Sequence, residues 1–310
     1  MLAIYSGELI KEYRISRGIT LEQLSQGLCN PATLQRIEKG KRTPSIFVFI
    51  KIVERLGFEA RRFYFSGHGR AEMDFLNVYY EADALVANEK LDEATAKIAE
   101  LEILERNLHK SDGAKLRRQM VYVLKCGMAQ LRGEDISNHI KTIKEALALT
   151  LPGYDELSIS ELLLTYDEIA LLNMLATAYR KLGEIDRGIN IYYQIKRSMD
   201  RFYLDKQEKS RGYIMTLYNL SSALGYEKRH VEALETCNIA IEFCVEQKRL
   251  NLLPHLKFNK ACALFYLGER EGYKELAIEA IYALKNNEYF HDAAIREEFA
   301  KNEMKIILPF

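Results

Sequence analysis

The sequence predicts an all-α fold in two parts, a small basic domain of five short helices followed by a longer solenoid of helical hairpins. Apolar residues recur at i, i+3 and i+4 along nearly the whole chain, as in Leu91, Ala94, Ile98, Leu101 and Leu104, which is the spacing of one helix face. Only 5 of the 310 residues are proline, and no strand-type alternation persists beyond a few residues. Charge is divided: residues 1–66 hold 11 Lys/Arg against 6 Glu and no Asp, while residues 67–310 hold 33 basic and 38 acidic groups, although the whole is neutral. A basic small domain on an acidic larger one points to a polyanion as partner of the first alone.

Five helices are expected in residues 1–66. The first runs from about Gly7 to Arg17 and stops at Gly18. Thr20 caps a second, with Leu21, Leu24 and Leu28 inward. The third lies between Asn30 and Gly40. Asn30 can accept an orphan N–H, Pro31 suits the first helical position, and Gly40 can close the helix in the left-handed conformation. Lys41-Arg-Thr-Pro-Ser45 forms a turn in which Ser45 caps a fourth helix, Ile46 to Leu56, ended by Gly57. A fifth short piece surrounds Arg61–Phe65. Ser66-Gly-His-Gly-Arg70 is Gly-rich and unpatterned, so the boundary falls there, with 67–71 as a linker and 72–310 as the second domain.

The second domain carries a repeat. A small-x-small signature sits midway along alternate helices: Ala82-Asp-Ala84, Gly127-Met-Ala129, Ala176-Thr-Ala178, Ser221-Ser-Ala223 and Ala261-Cys-Ala263. Small residues let neighbouring helices approach closely. A hairpin of this size cannot bury its own apolar face, so at least three must stack. About five hairpins and a C-terminal capping helix are expected. Their period exceeds the ~34 residues of a standard tetratricopeptide repeat, so helices or loops must be longer.

Composition excludes several classes. Five cysteines without a C-x-x-C pair fit a reducing cytosol rather than a disulfide scaffold. No basic n-region precedes an apolar stretch at the N-terminus, and runs such as Ile46–Ile50 and Ile169–Leu172 are too short to span a bilayer. A cytoplasmic protein without membrane contact is expected. The six histidines are scattered, no phosphate-binding glycine loop occurs, and no carboxylate pair stands out. Neither enzymatic activity, nor a cofactor, nor a metal is expected.

The third helix carries the functional reading. Only Leu34 and Ile37 are apolar within it, so one narrow stripe is buried and the rest is left for another surface. Ala32, Thr33, Gln35 and Arg36 combine the small, amide and guanidinium groups that read base edges in a major groove. Asn30, Lys39, Lys41 and Arg42 are better placed for phosphates, giving affinity and salt dependence. Glu38 is expected to pair within the domain, and Arg36 could be shared between a base and that carboxylate.

Thr20 to Ser45, and above all Arg36-Ile-Glu-Lys-Gly40 followed by a basic turn and Pro-Ser, resembles a Cro/repressor-type (XRE) helix-turn-helix. In one departure, Leu28-Cys29 stands where that family has a turn glycine. The shorter turn is similar to that of the RRNPP group (Rgg/PlcR/NprR/PrgX-like), peptide-pheromone regulators of Gram-positive bacteria. That resemblance implies a lambda-repressor-like domain followed by a right-handed tetratricopeptide-like solenoid. It also implies a transcription regulator of quorum sensing that binds double-stranded DNA and a short signalling peptide. One such helix buries too little for tight binding, so a homodimer on an operator with two half-sites about 10 bp apart is expected.

On the repeats, the residue two before each signature is Tyr80, Lys125, Met174, Asn219 or Asn259, on the face that lines the concave groove in tetratricopeptide folds. Five residues after each signature start come Ala87, Arg132, Lys181, Tyr226 and Tyr266. An Asn amide can clamp an extended backbone, and Tyr offers apolar area with a polar tip. In the resembling family, groove asparagines contact the pheromone, which singles out Asn219 and Asn259, with Asn173 one position off register. His255 is also a candidate for the groove, though a satisfied surface histidine is the simpler expectation. The alternative is a repeat domain that docks a protein partner; a phosphatase-like accessory activity has no residue to nominate.

Overall fold

The structure, a computed structural model, describes residues 2–58, 70–108, 113–203, 205–269, 272–287 and 289–308. Among these residues every regular element is helical. The reader domain contains α1 (Leu2–Ser16), α2 (Leu21–Ser25), α3 (Pro31–Glu38) and α4 (Ile46–Arg55). Its caps follow from the side chains. Thr20 Oγ1 accepts from the Gln23 N–H at 3.1 Å while Gln23 Oε1 accepts from the Thr20 N–H at 2.9 Å, a reciprocal capping box. Asn30 Oδ1 accepts from the Ala32 N–H at 2.8 Å, and Ser45 caps α4. The expected fifth helix at Arg61–Phe65 and linker residues 67–69 lie outside the described residues. Arg70 and Ala71 already belong to the next helix.

Five antiparallel hairpins follow. They are α5 (Arg70–Ala87) with α6 (Leu91–Asn107), α7 (Ala114–Arg132) with α8 (Ile136–Ala148), and α9 (Tyr166–Lys181) with α10 (Ile185–Phe202). Then come α11 (Lys206–Tyr226) with α12 (His230–Glu246), α13 (Leu253–Tyr266) with α14 (Tyr273–Asn286), and a last helix, α15 (Phe290–Asn302). Every small-x-small signature falls on the first helix of a hairpin. The reason is visible in the third, where a Cβ added to Gly188 of α10 would stand 2.6 Å from the Ala176 carbonyl of α9. Among the described residues no helix is long and apolar enough to cross a membrane.

The reader is not a separate bead. One apolar core joins Leu24, Leu34, Ile37, Phe47 and Ile50 to Phe75, Leu101 and Met120 of the first two hairpins. Phe47 meets Phe75 edge-on, ring centres 5.4 Å apart. Beside this core two cations of α4 cross into the array. Arg55, 1% exposed, donates to the carbonyls of Leu24 and Gln26 and pairs with Glu168 at 3.2 Å. Lys51 lies between Glu54 at 3.0 Å and Asp167 at 2.7 Å. Burial alone would lower the Lys51 pKa, but the two carboxylates outweigh it and hold the ammonium above its ordinary range.

The turn between α2 and α3 completes the docking. Of Leu28-Cys29, which stands where the family has its turn glycine, Leu28 is buried and Cys29 half-buried, while the left-handed residue is Gly27, with φ +67°. A Cβ on Gly27 would overlap the Thr150 carbonyl, so only glycine allows the reader this close to the loop after α8. Removing one partner of a buried ion pair leaves an uncompensated charge and costs about 3–5 kcal/mol. Arg55→Ala is therefore expected to lower unfolding free energy in urea by about that amount. Arg55→Met combined with Glu168→Gln should lose less than Arg55→Ala; an equal loss would mean that the orphaned carboxylate is not the cause.

Candidate functional site

The third helix presents the surface its sequence leaves over. Leu34, Ile37 and Glu38 are buried, whereas Asn30, Ala32, Gln35, Arg36, Lys39, Lys41 and Arg42 are exposed and Thr33 is half-buried. Glu38 is gripped by Arg14 of α1, Nε to Oε1 at 2.6 Å and Nη2 to Oε2 at 2.9 Å. This bidentate pair is the intradomain role expected of Glu38, with Arg14 rather than Arg36 as its partner. It ties α1 to the end of α3 without drawing Arg36 off the outer face.

On the repeats, the asparagines join consecutive first helices to one another. Asn173 of α9 donates to Thr216 Oγ1 of α11 at 3.0 Å and to the Ile169 carbonyl at 2.9 Å. Its Oδ1 accepts from Asn219 of α11 at 3.2 Å. Asn259 of α13 donates to Ser221 Oγ of α11 at 3.0 Å. Asn173, off register in the sequence alignment, is the buried hub of this ladder, and Asn219 and Asn259 are half-buried. Residues of the second series lie instead beside the second helix of the preceding hairpin. Arg132 donates to Thr95 Oγ1 on α6 at 2.6 Å, Lys181 acts electrostatically on His139 of α8, and Tyr266 stacks on His230 of α12 with centroids 4.7 Å apart. Lys125 joins that side too, paired with Glu102 of α6 at 2.9 Å. Tyr226 is 73% exposed.

The last helix lies across this first-helix face. Arg296 of α15 stands 2.9 Å from His255 Nδ1 at the start of α13 and 3.5 Å from the Tyr218 hydroxyl of α11, with its guanidinium 5.7 Å from the Phe258 ring centre. A helix merely stacked on the end of the array would not reach α11, one whole hairpin back. His255 is consequently buried, not the surface histidine expected, because α15 covers it. Since Arg296 can only donate, Nδ1 must accept, and the imidazole is neutral. Burial first, then the Arg296 charge, push the His255 pKa down to about 4, with Asp292 opposing.

Sequence reasoning missed the residues that connect the two parts, Lys51, Arg55, Asp167 and Glu168, and two that tie the repeats together, Thr216 and Arg296. A signal existed for the first two. They sit four apart in Ile46-Phe-Val-Phe-Ile-Lys-Ile-Val-Glu-Arg55, a helix apolar almost all round, and a charge in such a helix must find a partner. Thr165-Tyr-Asp-Glu168 also has the capping-box pattern, and Glu168 Oε2 accepts from the Thr165 N–H at 2.6 Å. Among the described residues no group of three or more His, Cys, Asp or Glu is placed to hold a metal. One pH dependence follows from His255. The unfolded imidazole titrates near 6.5 and the folded one near 4, so the unfolded chain binds more protons between those values. The His255 contribution is intact above pH 6.5 and is lost as pH falls toward 4. Protection factors of the α15 amides, with rates normalised to the intrinsic rate at each pH, should fall as pH is lowered across that window in the wild type, and His255→Gln should flatten the response.

Residues 10–63 match the family described as helix-turn-helix, and residues 87–276 match the RNPP family C-terminal domain. No curated protein sequence matches the chain. Among solved structures, PlcR of Bacillus thuringiensis in complex with the peptide PapR7 and DNA is 21% identical, with a TM-score of 0.61 over 95% of this chain and 99% of that one. The apo form of PlcR is likewise 21% identical, with a TM-score of 0.58 over 97% and 100% of the two chains. ComR of S. thermophilus, in complex with DNA and its signalling peptide, is 12% identical with a TM-score of 0.48, over 97% and 99%. PlcR shares the fold over nearly its full length, a helix-turn-helix domain on a tetratricopeptide-like array. The C-terminal match spans more than half of the sequence, so the chain belongs to the RNPP family and is a DNA-binding regulator built from a helix-turn-helix domain and that family's repeat domain.

Proposed function

We propose that the chain is a homodimeric transcription regulator that reads an operator of two half-sites with α3 and is switched by a short signalling peptide bound along its repeats. In this reading Ala32, Thr33, Gln35 and Arg36 face base edges, and Asn30, Lys39, Lys41 and Arg42 face phosphates. Asn219 and Asn259 hold the peptide backbone, and Asn173, whose amide is already engaged by Thr216, Ile169 and Asn219, sets their position. An amide has two donor hydrogens and an acceptor oxygen, so one bond to a neighbouring helix leaves capacity for a ligand. Tyr226 and Tyr266 supply apolar area, and Lys125, Arg132 and Lys181 supply positive charge. PlcR, of the same fold, was crystallised with both a peptide and DNA, which supports assigning both partners to one chain.

One observation carries the reading. Helix α9 holds both ends of the switch: Asp167 and Glu168 in its first turn grip Lys51 and Arg55 of the reader, and Asn173, about two turns on, is the hub of the asparagine ladder. A peptide that prefers one arrangement of α9 and α11 thereby favours one placement of the reader, and so one spacing of the two recognition helices in a dimer.

Two experiments test it. Gln35→Ala/Arg36→Ala should lose discrimination between a duplex selected in vitro by the wild-type chain and a scrambled one, by roughly 1–3 kcal/mol per base contact. Full retention of specificity would remove α3 from the reading role. With a linear peptide selected from a random library against the wild-type chain, Asn219→Ala/Asn259→Ala should weaken calorimetric affinity at least about tenfold, the ~1.4 kcal/mol of one good hydrogen bond. Equal affinity would place the peptide elsewhere, and selective retention of a folded protein in place of any peptide would favour the docking alternative.

A further inference from the structure

The repeat domain reaches the surface on which the recognition helix lies. Gly113, with φ +111°, opens α7 against the start of α4, where a Cβ on it would stand 2.9 Å from Ser45 Oγ. That abutment brings Ala114 and Lys115 to one wall of a shallow cleft of about 480 Å³, whose other wall includes Cys29, Asn30, Thr33 and Arg42. Among the described residues the lining holds two cations, Arg42 and Lys115, and no carboxylate. Lys115 is exposed, and the first turn of α7 contains no acidic residue. Burial first, then the Arg55 charge, lower the Lys115 pKa, and among the described residues the carboxylate opposing them is Glu168, which Arg55 already engages.

Resting on the DNA-reading function above, we propose that Lys115 of the repeat domain binds a backbone phosphate of the same duplex whose major groove α3 enters, on the flank faced by Asn30 and Arg42. The ligand chemistry is that of a phosphodiester. A lysine ammonium meets it as a point charge without reading sequence, and the cleft opens beside the N-terminal end of α3, where the duplex backbone borders the groove. The contact has a structural consequence. One protein–DNA interface then includes a residue from each domain, so affinity depends on how the reader is docked on the array. The Arg55–Glu168 pair and the Gly27–Thr150 approach hold Lys115 in register with Arg42.

The test uses the full chain, a duplex selected from a random pool by the wild type, and a scrambled duplex of the same length. Releasing one phosphate contact lowers the slope of log affinity against log salt by about 0.9 per bound chain. Lys115→Ala should show that loss on both duplexes and bind several-fold more weakly at low salt, with Lys115→Arg close to wild type and thermal midpoints unchanged. An unchanged slope in Lys115→Ala overturns the inference, as does tighter binding, which would mean that the cleft wall obstructs DNA. The parent reading fails differently: the wild type would then select no sequence at all, and Gln35→Ala/Arg36→Ala would change nothing.

Discussion

The placement of the reader domain depends on the charged contact between α4 and α9. Arg55 and Lys51 lose nearly all their water there, and apolar packing alone would not demand them. A purely apolar seam between two helical bodies tolerates sliding, because dispersion and burial carry little directional information. A guanidinium bonded at once to two turn carbonyls and a carboxylate does not, since shifting it orphans a buried charge. The ion pairs thus set where the reader sits, while the shared core around Phe47 and Phe75 supplies the cohesion.

The repeat array applies the same division of labour. Small residues close each hairpin, as Gly188 does against Ala176, and set hairpin on hairpin, as where a Cβ on Gly212 of α11 would stand 2.9 Å from the Ile169 side chain of α9. Polar bonds between first helices, from Asn173 to Thr216 and Asn219, then specify the angle at which one hairpin meets the next. Helix α15 adds a further constraint by laying Arg296 over His255 and Tyr218, so part of the first-helix face is occupied by the chain itself. Helix α9 takes part in both systems, through Asn173 in the ladder and through Asp167 and Glu168 in the buried pairs under the reader.

Much of this was legible in the sequence. The caps at Thr20, Asn30 and Ser45, the stripe of Leu34 and Ile37, and the alternation of small-x-small helices depend on residues within one or two turns of each other. Such local rules survive without knowledge of the rest of the fold. The outward face of α3 followed from the same stripe. The sequence marks Glu38 as an internal partner, but its cation comes from α1, 24 residues away. The asparagine ladder was half visible: Asn219 and Asn259 shared a register, whereas Asn173 is the hub because its neighbour Thr216 lies one turn before Asn219 on a different helix.

By itself the sequence determined which segments are helices, where they start and stop, which faces are apolar, and that a basic reader precedes an acidic array. Those properties are set by short-range backbone and side-chain chemistry and by period. Only the tertiary structure decided that Gly27, ahead of Leu28-Cys29, takes the left-handed turn, and that the nearby Thr150 carbonyl leaves no room for a Cβ there. Only it decided that Lys51 and Arg55 belong to α9, 113 residues further along the chain in the case of Glu168, and that Lys115 stands beside Arg42. Pairings between distant charges leave no periodic trace, since any of the chain's many carboxylates could have served; the packing of one body on another chooses among them.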